Sequence, residues 1–380
     1  MKTDNRTKVC VCCVMDTSDP KITFDDSGLC KYCQNFRNVI SPDWSEKVAN
    51  TSSLHEKAEE IKQATNGSKY DCIIGISGGL DSSFTAYVAK EVMGLKPLLF
   101  HVDAGWNTRQ AVENIECLVD GLGLDLYTEV INWDKMRELQ IAFLKSQIPD
   151  QDLPQDAAFF SSLYSYAAKN GFKFIFTGAN FSTECCREPE EWGGYLGIDK
   201  RLFHDIFKKF GDGDLRHFPL VDIMTYKLFF RYFYGISVFA PLNYINFFKK
   251  NGEELLSNKF GWQSFQHKHH ESVFTRFYES FWLRKKFGFD KRKAHFSSLV
   301  MTGQASRDLL LERLETSELN DLMTKNEFDF VADKLNMTVG ELNELFSAPN
   351  KTFSEYKNKK WLINFGAKLL HSIGLEKRLL

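Results

Sequence analysis

The segment Ser77-Gly78-Gly79-Leu80-Asp81-Ser82-Ser83 concentrates more groups able to act on an anion than any other part of the chain. It follows a short apolar run, Tyr70-Asp71-Cys72-Ile73-Ile74-Gly75-Ile76, and precedes Phe84-Thr85-Ala86-Tyr87-Val88-Ala89-Lys90, which has helical composition. Strand, glycine loop and helix in that order aim backbone N–H groups and a helix N-terminus at an anion. Two adjacent glycines let the main chain approach phosphate oxygens with no Cβ in the way. Ser77, Ser82 and Ser83 add hydroxyl donors. The carboxylate of Asp81 makes little sense against bare phosphate and good sense beside a Mg2+ ion that bridges phosphates. There is no G-K-[ST] and no G-x-G-x-x-G, so this is neither the ordinary P-loop nor the dinucleotide fingerprint.

Cysteine supplies the second pattern. Of the nine cysteines, Cys10 and Cys13 form one C-x-x-C and Cys30 and Cys33 another, with sixteen residues between the pairs. Two thiolates two residues apart can bite one tetrahedral ion from a tight turn, and two such turns complete the shell, so the spacing predicts a zinc ribbon. A shell of four thiolates leaves no position for water, which makes the site structural. Asp25, Asp26, Ser27 and Gly28 supply the turn before the second pair, and Ile22–Phe24 is expected as a strand between the knuckles. Cys12 is an extra thiol that could replace Cys13. The module is placed at residues 1–40.

The elements around the loop follow from periodicity. Lys96–Asp103 reads as a second strand, Ala111–Leu122 as a helix, Leu124–Ile131 as a third strand and Trp133–Ser146 as a helix. Asp156–Asn170 reads as another helix and Phe172–Thr177 as another strand, with Gly178-Ala179-Asn180 at its end. Alternating strands and helices predict an α/β fold with a doubly wound, mostly parallel sheet. Asp103, Gly178 and Asn180 fall at carboxyl ends of strands, where such sheets bind ligands. Residues 41–69 read as a linker with one short helix, Leu54–Ala64. Residues 70–220 are the nucleotide-binding domain, 221–310 an aromatic and basic region, and 311–380 a helical tail.

Composition narrows the classes. The chain has 380 residues, and 48 Lys+Arg against 50 Asp+Glu leave a net charge of −2, which argues against a nucleic-acid partner. The N-terminus shows no signal-peptide core, so a cytoplasmic, reducing setting is expected. Leu228–Phe248 is apolar, yet Arg231, Pro241, Asn243 and Asn246 interrupt it; no membrane span is expected, and a buried aromatic segment is the default, with a peripheral membrane contact as the lesser reading.

The Ser-Gly-Gly-x-Asp-Ser loop resembles that of the PP-loop ATP pyrophosphatases. The likeness extends through Cys13–Pro20 with both knuckles, His101–Asn107, Pro154–Asp156, Thr177–Asn180 with Thr183-Glu184, Lys268-His269, Glu271-Ser272, Phe274–Phe277, Asp290–Arg292, His295, Ser297–Leu299 and Gly303-Gln304. Across residues 8–310 the chain is similar to the N-acetyl sugar amidotransferase family, PP-loop proteins of lipopolysaccharide and nonulosonate pathways. Cys12 and His270 depart from the usual pattern. The resemblance implies ATP, Mg2+ and Zn2+ as cofactors and a nucleotide sugar as substrate. ATP would adenylate the N-acetyl carbonyl oxygen, and ammonia would then displace AMP to leave an acetamidino group. Ser77, Gly78, Gly79, Asp81, Ser82, Ser83, Asp103, Gly178 and Asn180 would bind the nucleotide, with Asp81 also on magnesium. Catalytic roles would fall to Asp81, Glu184, Lys268, His269, Arg276, Lys291 and Arg292. With Lys at position 2 and no nucleophile elbow, the chain carries no glutaminase signature. The family implies separate glutaminase and cyclase-like ammonia-channel subunits, similar to those of imidazole glycerol phosphate synthase. Two rivals stand beside this reading: a tRNA-thiolating PP-loop enzyme using Cys185-Cys186, and a scaffold that binds ATP without turnover.

Overall fold

The computed structural model describes residues 7–50, 52–192, 199–223, 225–363 and 365–366. Five strands form one sheet: β1 (Cys72–Gly75), β2 (Pro97–Asp103), β3 (Leu126–Val130), β4 (Phe174–Phe176) and β5 (Ser237–Phe239). Their order is β3-β2-β1-β4-β5 and every pairing is parallel. The doubly wound parallel sheet is thus as the periodicity predicts. The chain winds outward from β1 through β2 and β3, then crosses back to build β4 and β5 on the other side. The switch lies between β1 and β4, where Ile73 pairs with Ile175 and Ile74 with Phe176. Loops leaving these two strands diverge to opposite faces, and the crevice between them is where open α/β sheets hold ligands.

Side chains alternate across a strand, and β1 shows it. Ile73 packs into the core under the helices Trp133–Ser146 and Leu153–Lys169, while Cys72, Ile74 and Ile76 face the opposite core. Thr108 caps the helix Arg109–Leu122 by accepting from Ala111 N, and Gly123 ends it in the left-handed region. Residues 41–69 form two helices, Ser41–Ala49 and Ser53–Ala64, and the second buries Leu54, Ala58 and Ile61 against the core beneath β1. Sequence polarity suggested a linker because only that one apolar stripe is present; the stripe is enough to dock the helix.

Two further expectations change. Between the cysteine pairs there is an isolated bridge, Phe24 to Cys30, in place of a strand. The 228–248 segment is not a buried aromatic unit: Leu228, Phe229, Tyr232, Phe233 and Tyr234 are exposed, whereas Phe230, Phe239 and Phe247 are buried. The helical stretch Val273–Phe287 shares one apolar cluster with Phe328, Val331 and Leu342 of the C-terminal helices. A boundary at 310 therefore cuts across a continuous core; residues 367–380 of the expected tail lie outside the described residues. Among the described residues no helix is long and apolar enough to cross a membrane.

Candidate active site

Gly78 and Gly178 explain how close the two loops come. Gly78 has φ of +81°, and a Cβ there would lie 2.4 Å from Ala111 O. Its carbonyl accepts from Asn114 Nδ2 at 3.0 Å and Trp262 Nε1 at 3.1 Å, which fixes the loop from behind. A Cβ on Gly178 would lie 2.8 Å from the Asp81 carbonyl carbon, so the turn after β4 rests directly on the loop after β1. Gly79 precedes the helix Leu80–Tyr87 in extended conformation.

A cavity of about 400 Å³ opens over this junction. Ser77, Gly79, Asp81, Ser82 and Gly178 line it. Gly78 shapes the loop from outside the lining, and Ser83 is fully buried beneath it. Asp103 is also absent from the lining: its carboxylate accepts from Gly105 N at 2.8 Å and Asn107 Nδ2 at 3.1 Å, so it holds the turn after β2. Asn180 donates to Asp81 and caps its own short helix by accepting from Thr183 N at 2.8 Å.

A second cavity, of about 1330 Å³, adjoins the first. Ala179, Thr183, Glu184, Lys249, His267, Lys268, His269 and His295 face both. At this shared wall Lys268 pairs with Glu184, and His269 meets Glu279 at 3.1 Å. Lys291 bridges Glu188 at 3.1 Å and Glu279 at 3.3 Å. Asp81, Glu184, Lys268, His269 and Lys291 are thus brought together. Arg276 and Arg292 are not. Arg276 pairs with Glu327 at 2.6 Å, away from both cavities. Arg292 touches the larger cavity, yet its guanidinium is engaged by Asp290 and by the carbonyls of Arg313, Leu314 and Thr316. It clamps two helices.

The charges follow from burial and pairing. Burial pushes the Asp81 carboxyl up to about 6, against the pull of Lys268. Burial works against ionisation of Glu184, but Lys268 holds it below the usual carboxylate range. Burial likewise disfavours a charged His269, yet Glu279 carries it up to about 9, while Glu279 falls to about 2. His269 has φ of +62°, a left-handed backbone costly for a non-glycine residue and frequent where side chains are held for function. Burial keeps His295 neutral, with Nδ1 3.2 Å from Thr183 O.

Several lining residues had not been singled out. Glu271 places Oε1 3.3 Å from Ser77 Oγ, at the mouth of the loop, although it lies in a stretch already noticed beside His269. Phe160, Phe265, Lys249 and Glu253 also line the smaller cavity. Phe160 gave no signal because its helix is apolar on most sides.

At the N-terminus the four predicted thiols converge. All their Sγ atoms lie within 4.8 Å of one another, with Cys13–Cys30 at 3.6 Å and Cys10–Cys33 at 3.9 Å. Four sulfurs about 2.3 Å from one zinc have edges of about 3.8 Å, so the set fits the ion. The cluster is buried, and Asp19, Lys31 and Tyr32 beside it line the larger cavity.

The chain is an α/β protein with a parallel sheet, and its glycine loop sits at the switch point, ahead of a helix N-terminus. Residues 271–370 match the family model described as the C-terminal domain of WbpG-like lipopolysaccharide biosynthesis proteins. The chain is 28% identical over 173 residues to the NH(3)-dependent NAD(+) synthetase of Thermococcus kodakarensis, covering 46% of this chain and 58% of that protein. It is 25% identical over 187 residues to the uncharacterized protein MJ1599 of Methanocaldococcus jannaschii, covering 48% and 63%. The chain thus spans about three fifths of the length of these curated relatives. Among solved structures, the NMN synthetase of Francisella tularensis aligns at 16% identity with a TM-score of 0.32, over 80% of this chain and 98% of that one. The NH3-dependent NAD synthetase of Campylobacter jejuni aligns at 14% and 0.31, over 80% and 99%.

Proposed function

We propose that the chain is the ATP-dependent synthetase part of an amidotransferase that converts the N-acetyl group of a nucleotide-linked sugar into an acetamidino group. The observation that carries this reading is the wall shared by the two cavities. The smaller cavity has the loop, the helix N-terminus and Asp81 suited to a triphosphate with Mg2+. The larger has volume for a sugar nucleotide. A reacting pair must meet where the two join, and there the wall carries Lys268, His269 and Glu184.

The chemistry suits that placement. An amide oxygen attacks the α-phosphorus of ATP, and pyrophosphate leaves. Ammonia then bonds to the activated carbon, the carbon–oxygen bond breaks, and AMP departs with the oxygen. Negative charge gathering on pyrophosphate calls for fixed positive groups. The loop amides and Lys268 serve that need, and Mg2+ at Asp81 would add a divalent charge. Neutral His295 is suited to accept a proton from the incoming nitrogen. Lys291 holds Glu188 and Glu279 in place, and zinc would hold the outer wall. Ammonia would come from separate glutaminase and channel subunits.

The thiolation reading is less favoured. Cys185 and Cys186 are both about 5% exposed, and burial pushes the Cys185 thiol up to about 11, away from the reactive thiolate.

The test is mass spectrometry of UDP- and CMP-linked N-acetyl sugars incubated with ATP, Mg2+ and ammonium. The expected product is lighter by the difference between oxygen and NH, with AMP and pyrophosphate released in step. ADP and orthophosphate would overturn the reading. Tight ATP binding without any release would favour the scaffold.

A further inference from the structure

Residues 223–251 contain no Asp or Glu, while Lys227, Arg231, Lys249 and Lys250 are all cationic. The same stretch carries Tyr226, Phe229, Phe230, Tyr232, Phe233, Tyr234, Phe239, Tyr244, Phe247 and Phe248. In a chain whose charges nearly cancel, an acid-free run of this length is a local exception.

The fold divides these aromatics in two. Tyr226 and Phe230 turn inward against Tyr164, with ring centroids 4.9 and 5.5 Å away, and fasten the helical stretch Thr225–Phe233 to the body. Ile236 N donates to Phe230 O at 2.8 Å, which closes the stretch onto the edge strand β5. The other side faces outward: Phe229 is 56% exposed, Tyr232 62% and Phe233 76%, with Leu228, Tyr234 and Val238 beside them. Arg231 stands exposed among these rings, its guanidinium 5.5 Å from the Tyr232 ring. Lys173 reaches the same corner and donates to Tyr234 O at 3.2 Å.

Burying Phe230 and packing half-buried Tyr226 anchor the stretch; nothing in that anchoring requires Phe229 and Phe233 to remain in water, where each costs free energy. Lys249 and Lys250 pair with Glu253 and Glu254. At the tip, however, the apolar rings, the tyrosines beside them and exposed Arg231, within a run that has no acid of its own, are the combination that settles at an anionic lipid interface. We propose that this face docks on an anionic membrane surface, lying in the headgroup region without crossing it. A protein partner of ordinary composition would leave the acid-free run unexplained. From β5 the chain runs directly to Ala240 and Asn243 on the larger cavity, so docking would set that cavity at a fixed height above the lipid.

The experiment uses the full chain with sedimenting vesicles of phosphatidylcholine alone and of an equal mixture with phosphatidylglycerol. The wild type is expected to sediment with the mixed vesicles and to remain in solution with the neutral ones, with binding weakened by salt. Phe229→Ser with Phe233→Ser should lower the partition by about tenfold or more, since two rings leave the interface. Arg231→Glu, which leaves the rings intact, should lower it as well. Failure of the wild type to bind mixed vesicles, or equal binding by the ring variant, overturns the proposal. So does light scattering that shows a dimer broken by Phe233→Ser without vesicle binding, because a second copy would then cover the face.

Discussion

Asn180 Nδ2 donates to Asp81 Oδ1 at 3.2 Å, tying the turn after β4 to the loop after β1 across the switch point of the sheet. The bond orients the one carboxylate that the smaller cavity offers within the loop itself. Because burial raises Asp81 to about 6, its charged form is present above that pH and is lost as pH falls through it. Binding of magnesium pyrophosphate, followed by calorimetry, should therefore weaken below pH about 6. Asp81→Asn should flatten that limb and cut ATP–pyrophosphate exchange by about a hundredfold or more. A variant that keeps the acid limb would show that another group supplies it.

Glu271 sets a second expectation. Its Oε1 lies 3.3 Å from Ser77 Oγ, and a Cβ on Gly79 would meet it at 2.9 Å, so a carboxyl group stands where an anion would enter the loop. Two negative groups at that range repel in a partly shielded site. Glu271→Gln should tighten metal-free binding of pyrophosphate by about tenfold. Weaker binding by this variant would mean that the carboxylate helps to hold the anion through a cation.

His269 and Glu279 make stability depend on pH. The folded imidazole is raised to about 9 from its ordinary 6.5, so its contribution is fully present below pH 6.5 and is lost as pH rises through about 9. The His269 side chain is 39% exposed, which holds the effect to about 1 kcal/mol after screening. Denaturant unfolding between pH 6.5 and 9 should show that decline, and Glu279→Gln should remove most of it. An unchanged slope in the variant would place the titration elsewhere.

The sheet and the loop were legible because their signals are local. Apolar runs ended by Gly78-Gly79 and by Gly178 set strand, turn and helix within a few residues, and the doubled C-x-x-C named its own geometry. The wall between the cavities was legible only in part. Lys268 and His269 lie far along the chain from Glu184, and what joins them is tertiary packing. Arg276 and Arg292 show the limit most plainly: an arginine in a promising stretch has the same composition whether it faces a phosphate or clamps Glu327 or Asp290. The exposed rings at 228–234 were masked by their own hydrophobicity, which in sequence reads as burial.

Zinc gives the last prediction. The thiol cluster is fastened to the helix Arg292–Met301, which carries His295 to the shared wall. Val14 N donates to Ser297 Oγ at 3.2 Å, Lys293 meets Asp16 at 2.6 Å, and Arg307 donates to the carbonyls of Cys10 and Cys13. Loss of the ion should therefore loosen that helix as well as the turns around it. The purified chain should hold about one zinc per molecule by atomic absorption, since four thiolates complete one tetrahedral shell. Cys13→Ser should lose most of that zinc and melt several degrees lower. Chelation should reduce ATP–pyrophosphate exchange reversibly, with zinc restoring it, because the wall moves while the loop around Gly78 stays pinned by Asn114 and Trp262. A zinc-free wild type with an unchanged melting temperature would show that these thiols hold the module by packing alone.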